Sequence, residues 1–204
     1  MKFTKIPETT FQELQMNSGV MLKKFDPKTA EIILKDIIGA TTGGLNFKAT
    51  PTYSDFGEDI DNCPKNMMEL KKLDNWAVLM SGTYVTVTPE LAKSLVGAAD
   101  IDESDLTKIV PRNELLEADF GDVWFVGDYS NKNDEKNGGF IAIHIMNALS
   151  TGGFQLKTTD KGKGQFAFEY TGHYSMKEQQ KVPFEIYVQA GKEATETTEV
   201  TTEE

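Results

Sequence analysis

Polar and apolar residues alternate most cleanly over Gln165–Tyr174. Phe166, Phe168 and Tyr170 fall on one face, and Glu169, Thr171 and His173 on the other. A period of two is the mark of a half-buried antiparallel strand. Asn75–Thr88 (NWAVLMSGTYVTVT) is rich in β-branched and aromatic residues and predicts a long strand with a bend or bulge at Gly82. A first strand is expected at Gly19–Phe25, and a glycine-broken one at Gly43, Gly44, Leu45, Phe47 and Ala49. Further strands are expected at Asp122–Tyr129, Gly139–Asn147, Phe154–Thr159, Lys163–Tyr174 and Pro183–Val188, with turns between them. Thr29–Ile38 fits a short helix or a second strand equally well, because Ile32, Ile33, Ile37 and Ile38 suit either period. One helix is clear: Thr88 caps, Pro89 takes the first helical position, Glu90 complements the dipole, and Gly97 stops it. Leu91, Leu95 and Val96 form its apolar face. The predicted fold is mainly β: an antiparallel sandwich or barrel with one flanking helix.

The strand at 43–49 runs through Pro51 into a long acidic excursion, placed at about 52–74. A structureless connection of that length is uncommon and is usually a working loop. It carries Asp55, Glu58, Asp59 and Asp61 but no nucleophile with its base, so it is expected to touch another protein. Residues 1–15 read as an arm. Residues 190–204 hold only one sizeable apolar group, Val200, and are expected to be a disordered acidic tail.

A formal charge of −11 makes nucleic-acid gripping a poor fit, since phosphate binding depends on Lys and Arg. Cys63 is the single cysteine, which excludes an internal disulfide and suits a reducing compartment. MKFTKIPETT lacks the apolar run of a secretory signal, and no stretch approaches the roughly 18 apolar residues of a membrane span. The expectation is a soluble protein made in a cytoplasm.

Chemical motifs are missing. GxxxxGK[ST], GxSxG, HExxH and CxxC do not occur, and Arg112 is the only arginine. His144, within FIAIHIM, is read as a strand histidine at an interface or wet face rather than a catalytic base, and His173 as exposed. With Cys63 they are too scattered for a structural zinc site. Asn133, Glu135, Asn137 and Gly138 mimic the front of a calcium loop, but His144 stands where its last glutamate belongs, so a hairpin turn is the simpler reading. Trp76 and Trp124 sit in strong strand patterns and are placed in the core. No catalytic residue, cofactor or metal is expected.

The layout resembles that of a major tail tube protein of siphovirus-type, long-tailed bacteriophages. The resemblance covers about 15–189 and is carried by GVMLKKFDP (19–27), IIGATTGGLNFKATPTYSDFGEDIDN (37–62) and WAVLMSGTYVTVTPELAKSLVGAAD (76–100). IVPRNELLEADFGDVWFVGDYS (109–130), GGFIAIHIMNALSTGGFQLKTTDKGKGQFAFEYTGHYS (138–175) and FEIYV (184–188) complete it. It rests on the order of the parts, not on one diagnostic motif. It implies a phage tail-tube fold and identical subunits joined into homohexameric rings, stacked as a hollow tube beside other tail proteins. The long loop, with Tyr53, Asp55, Phe56, Glu58, Asp59 and Asp61, would reach the neighbouring subunit. DNA would pass a negative lumen without specific binding. The protein would reside in the virion tail after assembly in the host bacterial cytoplasm. The alternative drawn from the residues is a carbohydrate-binding or glycoside-hydrolysing β-domain, motivated by Trp76, Trp124 and the abundant carboxylates.

Overall fold

The computed structural model describes residues 5–7, 10, 13–129 and 138–190. Most of the expected N-terminal arm, the calcium-like turn at 133–137 and the tail from 191 lie outside the described residues. The chain is mainly β and antiparallel, with one α-helix. In chain order the strands are β1 (Gln15–Leu22), β2 (Ile37–Gly39), β3 (Thr41–Asp55) and β4 (Lys71–Tyr84). Helix α1 (Pro89–Val96) follows, then β5 (Ala99–Ile101), β6 (Ile109–Pro111), β7 (Gly121–Tyr129) and β8 (Gly139–Ser150). The last three strands are β9 (Gln155–Lys157), β10 (Gln165–Gly172) and β11 (Phe184–Gln189).

Nine strands form one sheet system in the order β2-β1-β7-β8-β10-β4-β3, with β11 on β8 and β9 on β10. β8 is the strand that turns this system into two layers. Its first half lies between β7 and β11, pairing Phe140 with Gln189 and Ile145 with Phe184. Its last residues, Ala148–Ser150, pair with β10. The near-continuous apolar run Phe140–Met146 follows from this, because both faces of β8 are covered. Met21, Val123, Ile143 and Ile145 of one layer meet Val78, Met80, Phe168 and Tyr170 of the other in the main core. On the far side of the first layer Leu22, Phe25, Trp124, Val126, Phe140 and Ala142 form a second cluster. Phe25, from the β1–β2 connection, closes it, with ring centroids 5.7 Å from Trp124 and 5.4 Å from Phe140. Among the described residues no ladder joins β2 to β3, so the two layers do not close into a barrel.

Helix α1 follows its sequence signals. The Thr88 hydroxyl accepts from Leu91 N at 3.2 Å, and Gly97 ends the helix at φ 85°. Eight residues cannot hold a helix alone, so docking must supply its stability. Leu91, Ala92 and Leu95 are the buried residues, and each leucine contributes about 1.5–3 kcal/mol. Val96 is only half-buried. Ser150 Oγ donates to Leu95 O at 2.9 Å and ties the helix C-terminus to β8.

Several expectations need correction. The first strand begins at Gln15 and ends at Leu22, not at 19–25. Thr29–Ile38 is neither a helix nor a full strand. Ala30 adopts φ 54° with its N–H on Asp26 O, a 3-10 turn covers Leu34–Asp36, and only Ile37 and Ile38 enter β2. The bulge expected at Gly82 lies on the opposite strand. Thr42 pairs with Thr83 and Leu45 with Gly82, so Gly43 and Gly44 are the inserted residues, at φ 75° and 79°. Gly82 has a different duty: a Cβ there would meet Leu45 Cδ2 at 2.7 Å and Phe168 Cζ at 2.8 Å.

Candidate interaction surface

The excursion expected over 52–74 is shorter and more ordered than a loop. β3 runs to Asp55 and β4 starts at Lys71, so the connection is 56–70 and the strands beneath it are paired. β10 covers β4 only from Tyr84 to Val78. Beyond that point the register Thr52–Asn75, Tyr53–Leu73, Ser54–Lys72 and Asp55–Lys71 continues as a ribbon of two strands. Lys71–Asn75 are all exposed. The ribbon is clasped at its root, where Trp76 N donates to Tyr174 Oη at 3.0 Å and the Trp76 ring meets Phe184 at 5.4 Å.

Asp55 organises the tip. One carboxylate oxygen accepts from Gly57 N and the other from Asn66 N, each at 2.9 Å. The Gly57 bond, then the Asn66 bond, hold its carboxyl below the usual carboxylate range. Phe56 N donates to Leu70 O at 3.0 Å, and Cys63 N to Ile60 O at 3.2 Å. Asn62 and Asn66 both take φ 62°, a region asparagine tolerates better than most residues. The tip is therefore a folded knob and not a slack connection.

The six residues expected to make contact fall into two groups. Tyr53 and Phe56 are 56% and 61% exposed, and Glu58, Asp59 and Asp61 are exposed with no ion pair among the described residues. Asp55 differs, since its carboxylate is spent on the knob itself. The expected set holds two apolar residues, Tyr53 and Phe56, and the structure adds three more. Ile60 is 52% exposed, Met68 80% and Leu73 43%. The signal was present as Met67-Met68 and Ile60 inside an otherwise polar stretch. Exposed apolar side chains on a ribbon of only two strands make it a candidate for contact with another molecule.

Elsewhere the residues singled out pack against or bond to their neighbours. The His144 ring stacks on Trp124 at 3.9 Å and an interplanar angle of 7°. Its Nε2 lies 3.1 Å from Asp122 Oδ2 and its Nδ1 3.7 Å from Glu185 Oε2, although neither contact has good hydrogen-bond geometry. At 12% side-chain exposure His144 is inside, not on a wet face. His173 is half-buried with Nδ1 3.1 Å from Asn147 O, where it was expected to be exposed. Trp124 is 7% exposed and Trp76 packs on the core, in line with the sequence reading. Arg112 binds Asp100 and Asp119 and fastens β6 to the turn before β7.

Among the described residues no group of three His, Cys, Asp or Glu could hold a metal ion, and no helix is long and apolar enough to cross a membrane. No protein-family model and no curated protein matches the chain.

Proposed function

We propose that this chain is a structural subunit that assembles with copies of itself, as the major tail tube protein of a long-tailed bacteriophage does. The observation that carries the reading is the β3–β4 ribbon, which leaves the body of the sheet as a bare pair of strands and ends in a folded, apolar and acidic knob. Such a ribbon gains from a partner that covers both the apolar residues and the open backbone edges. β2, β3 and β11 each present an edge with no further strand among the described residues. Neighbouring subunits would complete these edges in homohexameric rings, and stacked rings would form the conduit for DNA in the virion tail. The chain charge of −11 suits a lumen that DNA passes without adhering. Other tail proteins would meet the ends of the tube, and the work needs no cofactor, metal or catalysis. The carbohydrate reading calls for an exposed aromatic platform, and it draws no support from Trp124 and Trp76 as they lie.

The test is direct. The full chain is purified and concentrated, then followed by sedimentation and negative-stain electron microscopy at several salt concentrations. Hollow cylinders with a regular ring repeat are the expected result. Monomers under every condition would overturn the proposal.

A further inference from the structure

A broad concavity lies at the opposite end of β3 and β4 from the knob. It is a groove of about 720 Å³ between α1, the β5–β6 hairpin and the sheet. Ile38, Leu91, Ile101, Leu106 and Val123 line it, and Leu106 is 71% exposed. Lys23, Lys35 and Lys93 also border it. Two of the three carboxylates that line the groove are paired, Glu90 with Lys23 and Asp119 with Arg112, while Asp122 accepts from Asn147 N and has no Lys or Arg on it among the described residues. Lys35 has no acidic partner among the described residues, and Lys93 is held only loosely, 3.9 Å from Asp100. The groove is thus apolar inside, and its rim offers Lys35 and the loosely held Lys93 to an anionic partner, beside the Asp122 carboxylate.

The knob is its complement. It caps the end of the β3–β4 ladder and presents Phe56, Ile60 and Met68 among Glu58, Asp59 and Asp61. One chain cannot join the two. Ile37, Ile38 and Thr88 border the groove and lie close in sequence to Thr41 and Tyr84, the ends of β3 and β4 remote from the knob. The 15 residues of β3, at about 3.3 Å each, carry the knob on the order of 45 Å away.

We infer that the knob of one copy seats in the α1 groove of the next copy. The inference rests on the self-assembly reading above and names the surface on which it acts. Two different patches on one chain make a head-to-tail contact. Such a contact repeats until it closes a ring, or continues as a filament. Charge complementarity sets the orientation: the acidic knob meets a rim on which Lys35 has no acidic partner among the described residues.

The chain's single cysteine, Cys63, lies in the knob, which allows a covalent test on the full protein. Leu106→Cys places a second thiol on the groove rim. Oxidation, or a short bis-maleimide, should then give a ladder of dimers, trimers and higher oligomers on a non-reducing gel. Wild type, and Leu106→Cys combined with Cys63→Ser, should stop at dimers. Because Cys63 is half-buried, Ile60→Cys with Cys63→Ser and Leu106→Cys repeats the test from an exposed position and should give the same ladder. Lys35→Glu with Lys93→Glu should cut the ladder at least fivefold, and adding Glu58→Lys and Asp59→Lys should restore it. Electron microscopy of the same samples separates the two ideas. Cylinders without a ladder from either thiol pair would overturn the seating and leave the tube. A ladder without cylinders would uphold the seating and overturn the tube.

Discussion

Leu95→Ala tests whether α1 is bound to the body of the protein as its packing implies. Leu95 has no exposed surface, and its helix has too few residues to persist undocked. Truncating a buried leucine to alanine typically costs about 2–5 kcal/mol, the larger values arising where the site cannot collapse. Here α1 borders an open groove and can settle inward, so a value of about 3 kcal/mol is expected. With a urea slope of about 2.5 kcal/mol/M, this moves the unfolding midpoint down by about 1.2 M. The thermal midpoint falls by roughly 6–12 °C. Leu106→Ala, at 71% exposure on the same groove, is the matched control and should change stability by less than about 0.5 kcal/mol. The assay is urea titration of both variants, followed by far-ultraviolet circular dichroism. A shift below about 0.3 M for Leu95→Ala, or equal shifts for the two, would refute the packing of the helix and with it the wall of the groove.

Replacing 56–70 by Asn-Gly joins Asp55 to Lys71 through a two-residue turn, and should leave a folded monomer that sediments as one species at every concentration. Tubes from that variant would remove the knob from assembly. Gly82→Val should lower the urea midpoint by an amount worth about 1–3 kcal/mol, because its Cβ would lie within 2.8 Å of both Leu45 and Phe168; an unchanged midpoint would contradict the contact. Asp102 accepts from the Ser104 hydroxyl, from Lys108 and from Ser104 N, and these bonds pull its pKa down to about 2. A folded pKa below the unfolded one stabilises the β5–β6 turn above the ordinary aspartate range, and that contribution is lost as pH falls through about 2. Carboxyl NMR titration should give that midpoint, and a normal aspartate value would refute the hydrogen-bond set.

Local chemistry was legible where it was redundant. Thr88-Pro89-Glu90 and Gly97 fix α1 from both ends, and the alternation of Phe166, Phe168 and Tyr170 fixes which face of β10 is buried. Segment 29–38 was not legible, because four isoleucines fit either period while Ala30 at positive φ breaks both. The bulge went to the wrong strand for a physical reason. Glycine can mark an extra residue or a close approach, and only the tertiary packing of Phe168 separates Gly82 from Gly43 and Gly44. The acidic half of the knob was read from sequence. Its order was not, since that depends on Asp55 reaching Asn66 across the tip. The groove was invisible altogether, being assembled from residues as distant as Ile38, Leu106 and Val123.

β8 gives the molecule a property that neither layer has alone. Its backbone donors and acceptors serve β7 and β11 at one end and β10 at the other. Peeling away one layer therefore strips partners from the strand on which the other is built. The body should melt as a single block, with the amides of Ile145 and Ala148 among the last to exchange with deuterium. A load applied to one layer would pass through this shared strand to the other, so the two would yield together.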